Sequence, residues 1–166
     1  MKQTAMITGS FDPVTSGHLD IIRRSAAMFD EVWVVLLANS EKKSGLFTPE
    51  ERLELMEMTI AGLPNVHTMV YGGLTSDAAA KIGATVIVRG ARSASDYDYE
   101  YTLSLIMKRF APQIETIILP TAPEYTAVSS TYVRELLKYG CELGDAVPDG
   151  CRARMQEMMD AKKANG

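Results

Sequence analysis

The sequence predicts an α/β protein built on one doubly wound, parallel, five-stranded sheet of Rossmann-like type, and three observations carry that prediction. Short apolar runs alternate with amphipathic stretches along the whole chain, the pattern of strands linked by crossover helices. The run Glu31–Leu37 (EVWVVLL) is apolar on both faces, as a parallel strand covered by helices on each side must be. The stretch Ile7–Leu19 (ITGSFDPVTSGHL) reads as a strand-to-helix turn, the place where open α/β sheets receive nucleotides.

In chain order, Ala5–Ile7 forms the first strand, and Leu19, Ile22, Ala26 and Phe29 recur at helical spacing after it. Gly9 permits a sharp turn, Asp12-Pro13 is turn chemistry, and Gly17 leaves room for a ligand against the backbone. His18 falls in the first helical turn, where unpaired N–H groups and the helix dipole favour phosphate. A plain helix cap is the competing reading of Gly17 and His18. After the strand Glu31–Leu37, a polar loop holds Lys42 and Lys43, and Thr48-Pro49-Glu50-Glu51 opens a helix with a capping box.

Val66–Tyr71 is the third strand, with His67 facing solvent. Thr75-Ser76-Asp77 caps a short helix ending at Gly83, and Thr85–Val88 is the fourth strand. A long helix over Ala94–Phe110 leads to the fifth strand, Glu115–Leu119. Pro120–Val128 is a loop, Ser129-Ser130-Thr131 starts a helix that stops near Gly140, and a last helix covers Gly150–Ala164.

The 166 residues fit one domain, 1–166, large enough for a proper core. An apolar fraction of 46% and a charged fraction of 23% are ordinary for a soluble globular protein. A net charge of −4 advertises neither nucleic acid nor an anionic membrane surface, so polyanionic ligands must find local basic clusters. The longest apolar run, Val32–Ala38, is too short to span a bilayer, and no leader is evident, so a cytoplasmic location is expected. Cys141 and Cys151 lack metal-binding spacing.

Four segments fall beyond the carboxyl ends of the strands, where the ligand crevice of such a sheet lies. They are the Ser10–His18 loop, the Lys42 loop, Arg89-Gly90-Ala91-Arg92, and Tyr125–Thr131. Arg89 and Arg92 also have Asp96 and Glu100 as natural partners in the following helix. Asp96, Asp98 and Glu100 do not all share a helix face, so no protein-built metal cage is expected. Tyr97, Tyr99 and Tyr101 read as packing or interface residues.

The arrangement G-S-F-D-P-x-T-x-G-H resembles the first-loop signature of the nucleotidyltransferase superfamily. The run I-V-R-G-A-R-x-x-x-D-Y-D-Y-E, the downstream V-S-S-T-x-V-R-E and the F-T-P-E-E-R capping box are similar to motifs of the phosphopantetheine adenylyltransferase family. The resemblance runs from Ala5 to about Val147 with the motifs in family order. It implies adenylyl transfer from ATP to 4′-phosphopantetheine, giving 3′-dephospho-coenzyme A and pyrophosphate, and Mg²⁺ on the phosphates is expected by analogy with other phosphoryl transfers. It further implies a homohexamer with coenzyme A as feedback inhibitor.

Carried over by residue, the resemblance gives Ser10 contact with both substrates, Phe11 a backbone contact with ATP, and His18 the stabilisation of the transition state. Lys42 and Arg89 hold the acceptor phosphate, with Thr75 near the pantetheine arm. Gly90, Ala91, Arg92, Glu100 and the segment Tyr125, Thr126, Ala127, Val128, Ser129, Ser130, Thr131 bind ATP. Ser10, His18, Lys42 and Arg92 make up the implied catalytic set. Ile7-Thr8 departs from the tyrosine-proline usual before Gly9, and the Lys43–Phe47 loop and Pro120–Pro123 spacing also differ. Two rivals stay open: another nucleotidyltransferase acting on nicotinate mononucleotide or a cytidylyl acceptor, and a nucleotide-binding regulator without turnover.

Overall fold

A computed structural model describes residues 2–38 and 45–164. Its frame is a sheet of five strands in the order β3-β2-β1-β4-β5, with each neighbouring pair parallel. The strands are β1 (Thr4–Gly9), β2 (Glu31–Leu37), β3 (Val66–Tyr71), β4 (Val86–Ala91) and β5 (Glu115–Pro120). The helices are α1 (Ser16–Met28), α2 (Pro49–Ile60), α3 (Thr75–Ile82), α4 (Ala94–Phe110), α5 (Ser130–Tyr139) and α6 (Arg152–Ala164). The strand order reverses its direction of growth at β1, so the crevice between the ends of β1 and β4 is the topological switch point.

β1 is central, paired with β2 on one side and β4 on the other, and its residues Thr4 to Thr8 are accordingly all buried. Alternate residues separate into two cores. Ala5, Ile7, Val32, Val34 and Val88 face α1, α2, α5 and α6, packing with Ile22, Leu55, Val133 and Met155. Met6, Val35 and Ile87 face the other way, packing with Ala78, Ala79 and Ile114. The second face is covered more thinly: α4 has no buried residue, and Tyr97, Tyr99, Tyr101, Leu105, Ile106 and Phe110 on it are exposed.

Several boundaries differ from the sequence expectation. β4 runs on through Arg89, Gly90 and Ala91, because its pairing with β5 continues to Ala91 opposite Pro120. Thr75 does not cap α3: Leu74 holds that position without a side-chain hydrogen bond, and Thr75 is the first helical residue. Gly83 and Gly140 close α3 and α5 at φ 67° each, the left-handed stop that glycine supplies. A single 3-10 turn, Pro123–Tyr125, interrupts the loop before α5, and another, Asp149–Cys151, precedes α6. His67 is half exposed as expected, though its Nε2 lies 3.3 Å from Glu31.

Candidate active site

At the switch point a cleft is lined by β1 and the loop after it, the first turn of α1, the end of β4, the start of α4, and Val128–Ser130. The loop is built from the inside outwards. Phe11 takes φ 45°, a left-handed conformation rare for a bulky side chain, and its ring is buried against Gly9. A Cβ on Gly9 would stand 3.2 Å from that ring, so any larger residue there would push the ring by a few tenths of an ångström. Phe11 in turn meets the His18 ring edge-on at 4.9 Å between centroids. The buried Asp12 carboxylate accepts from Leu46 N at 2.9 Å and Phe47 N at 2.8 Å, tying this loop to the entrance of α2.

His18 both caps α1 and faces the cleft. Thr15 is the N-cap, its hydroxyl accepting from His18 N at 3.3 Å, while His18 Nδ1 accepts from Thr15 N at 3.0 Å. With Nδ1 held as an acceptor, the proton of the neutral imidazole resides on Nε2. The ring's pKa is pulled down to about 4, first by burial and then by the Arg92 guanidinium. The side chain is thus a neutral Nε2–H donor at ordinary pH, beside the first N–H groups of a helix. The cap and the ligand-facing group are one residue, so the two readings of His18 are compatible.

Across the cleft, Arg89 Nη1 donates to Thr8 O at 2.9 Å and Thr8 Oγ1 at 2.8 Å, and its Nε lies 3.0 Å from Glu100 Oε2. That last contact is an ion pair without hydrogen-bond alignment, leaving Glu100 Oε2 buried and without a hydrogen-bond partner among the described residues. Burial pushes the Glu100 carboxyl up, Arg89 opposes that, and Asp96 adds to it. Arg92 donates from Nη1 to Val128 O at 3.3 Å, and Asp96 takes its main-chain N–H at 3.2 Å and sits 3.7 Å from Nε. The arginine–acid pairings expected from sequence therefore form, and they orient both guanidinium groups at the cleft.

Of the residues singled out by sequence, Phe11, His18, Arg89, Gly90, Arg92, Glu100, Val128, Ser129 and Ser130 line this cleft. Ser10 is exposed and outside the lining, with its carbonyl accepting from Arg52 Nη1 at 3.2 Å. Ala91 is buried, its carbonyl accepting from Thr121 N. Tyr125, Thr126, Ala127 and Thr131 also stand outside the lining, because the 3-10 turn carries the first of them away and Thr131 Oγ1 serves Arg134. Lys42 lies outside the described residues. Thr75 lines a second, apolar groove between α3 and α4 with Leu74, Leu103, Ile106, Met107 and Phe110, and Arg89 and Glu100 form the wall shared by both hollows.

Sequence reading gave no role to Thr8, Asp12 or Arg134. Asp12 was legible as a turn residue only, and its carboxylate partners lie 34 and 35 residues away. Arg134 donates from Nη1 to Asp12 O at 2.8 Å, a long-range tie that its place in a polar helix motif does not announce. No cluster of three or more metal-ligating side chains occurs among the described residues. No helix among the described residues is long and apolar enough to cross a membrane.

The family model described as cytidylyltransferase-like matches residues 6–136. In structure, the chain is similar to a protein from Vibrio parahaemolyticus assigned as a nicotinate-nucleotide adenylyltransferase, with a TM-score of 0.71 at 20% identity over 96% of this chain and 99% of that one. That likeness shows the fold, and the family match shows the class, a cytidylyltransferase-like protein. Among curated relatives, the phosphopantetheine adenylyltransferase of Desulforudis audaxviator is 46% identical over 87% of this chain and 88% of its own. Those of Leptospira biflexa and Caldanaerobacter subterraneus are 44% and 41% identical, over 90% and 93% of this chain and 92% and 96% of theirs. The chain belongs to the phosphopantetheine adenylyltransferase family of cytidylyltransferase-like enzymes.

Proposed function

We propose that this enzyme transfers the adenylyl group of ATP to 4′-phosphopantetheine, releasing pyrophosphate and 3′-dephospho-coenzyme A. The observation that carries the mechanism is His18, held by its cap as a neutral Nε2–H donor in the switch-point cleft. ATP, as its Mg²⁺ complex, occupies that cleft with its phosphates toward the start of α1 and Arg92. A phosphate oxygen of the acceptor attacks the α-phosphorus in line, and the bond from that phosphorus to the bridging oxygen of the β-phosphate breaks. The nucleophile is already anionic, so no covalent enzyme intermediate is needed. Catalysis is alignment plus fixed donors aimed at charge developing on the α-phosphate.

Arg89 lies in the wall between the two hollows, suited to the acceptor phosphate, and the apolar groove beyond it with Thr75 takes the pantetheine arm. The unpartnered Glu100 Oε2 is an acceptor for a ligand hydroxyl on the nucleotide side. Resemblance adds Lys42 to the acceptor phosphate and Ser10 to both substrates, the latter from the rim. Coenzyme A carries both a pantetheine arm and an adenine nucleotide, so it competes for the same two hollows as a feedback inhibitor. The exposed tyrosines and apolar side chains of α4 supply the surface of a homohexamer, and the cytoplasm is the compartment that fits.

Pyrophosphate release is the test. It should require ATP and 4′-phosphopantetheine together, and nicotinate mononucleotide or a cytidylyl acceptor should not substitute. Release with either alternative acceptor but not with 4′-phosphopantetheine would overturn the assignment. ATP binding without any turnover would make the chain a regulator.

A further inference from the structure

We infer that Thr8 is a positioning residue, whose hydroxyl fixes Arg89 where the two hollows meet. Thr8 is buried in β1 beside β4, and it lines the nucleotide cleft. Its side chain and its main-chain oxygen grip the same nitrogen: Arg89 Nη1 donates to Oγ1 at 2.8 Å and to O at 2.9 Å. A guanidinium has five N–H groups in a fixed plane. Two are taken by Thr8, and a third, on Nε, faces Glu100 at 3.0 Å. What remains is the Nη2 end, which has no protein partner among the described residues.

The two bonds from Nη1 fix one edge of the rigid guanidinium plane, so the grip of Thr8 sets where Nη2 points. Glu100 alone cannot do this, because its contact with Nε lacks hydrogen-bond alignment. The Thr8 main-chain oxygen alone leaves the guanidinium free to swing about one bond. The hydroxyl removes that freedom. Threonine stands here where the resembled signature has proline, which carries no hydroxyl. A proline there would offer Arg89 only the main-chain acceptor.

The inference rests on the proposed role of Arg89 with the acceptor phosphate, and the experiment separates the two. Calorimetry is run with 4′-phosphopantetheine and, separately, with ATP on wild type, Thr8→Val, Thr8→Ser, Arg89→Ala and the Thr8→Val/Arg89→Ala double variant. Valine keeps the shape and β-branching but deletes the hydroxyl. Thr8→Val is expected to weaken acceptor binding about tenfold, the scale of one hydrogen bond to a charged group. ATP binding should stay within about twofold, a change too small to signal a lost contact. Thr8→Ser should restore acceptor affinity, and the double variant should bind no worse than Arg89→Ala. A Thr8→Val defect that persists in full on the Arg89→Ala background would overturn the inference. So would wild-type binding by Thr8→Val beside a clear loss in Arg89→Ala, with the acceptor role of Arg89 left standing. Wild-type acceptor affinity in Arg89→Ala would remove that role and the inference with it.

Discussion

Two helices of this chain start with the same device and differ in one residue. At α2, Thr48 Oγ1 accepts from Glu51 N at 3.2 Å while Glu51 Oε2 accepts from Thr48 N at 2.8 Å. At α1, Thr15 and His18 make the equivalent pair at 3.3 and 3.0 Å. A glutamate is the ordinary partner in a capping box, and it also suits the positive end of the helix dipole. Since Glu51 caps α2 adequately, capping alone gives no reason for an imidazole at α1. What histidine adds is a second nitrogen: once Nδ1 is engaged, Nε2–H is left for the cleft. On the proposed mechanism, the difference between the two helix starts is the difference between a structural and a catalytic terminus.

Replacing His18 by the residue that serves α2 should break the comparison most sharply. His18→Glu keeps the cap, so denaturant unfolding should place its stability within about 1 kcal/mol of wild type. It puts an anion where phosphate charge develops, and turnover should fall by at least about a thousandfold. His18→Ala loses both functions: turnover drops at least about a hundredfold, and stability falls by about 0.5–2 kcal/mol. Near-normal turnover in either variant, measured per folded molecule, would reduce His18 to a cap.

Acid should separate the two caps next. The folded pKa of His18 is near 4 and its unfolded value is 6.5, so between them the unfolded chain binds the extra proton. The contribution of the neutral ring is therefore complete above about pH 6.5 and lost as pH falls toward 4, amounting to roughly 3 kcal/mol. Urea midpoints taken across that range in wild type and His18→Glu should diverge. Parallel curves would mean that the ring titrates normally in the fold.

Arg92 lowers the pKa of His18 and holds the rim of the cleft, so Arg92→Lys sharpens the same contrast from outside. Lysine keeps the charge but has no planar fork to join Val128 O, Asp96 and a phosphate, and ATP affinity should drop about tenfold by calorimetry. Unchanged ATP affinity would assign Arg92 to its helix partner alone. The smallest effect belongs to the structural cap: Thr48→Ala should cost about 0.5–2 kcal/mol in thermal unfolding and leave turnover per folded molecule unaltered.

Much of this was legible because periodicity and turn chemistry are local. Glu31–Leu37, Val66–Tyr71 and Ala94–Phe110 appear as read, since their apolar spacing and flanking polar residues leave little choice. The end of β4 was not legible, because an arginine and a glycine look like loop until β5 pairs alongside them. The family motifs pointed to the cleft and to most of its lining. They did not reveal that Ser10 faces outward or that Thr8 grips Arg89 from 81 residues away, and they set the cap reading of His18 against its cleft-facing one where the two coexist. Each of those depends on side chains meeting across elements, which no spacing rule encodes.

α4 is shared between the two hollows. Its 17 residues make a rod about 25 Å long. One end carries Asp96 and Glu100 at the nucleotide cleft, and the other presents Phe110 at the far end of the apolar groove. No residue along it is fully buried, yet Met107 packs against the thinner core and Lys108 pairs with Glu115 beside it. A single rod thus furnishes part of the wall of both hollows, with Glu100 lining the two at once.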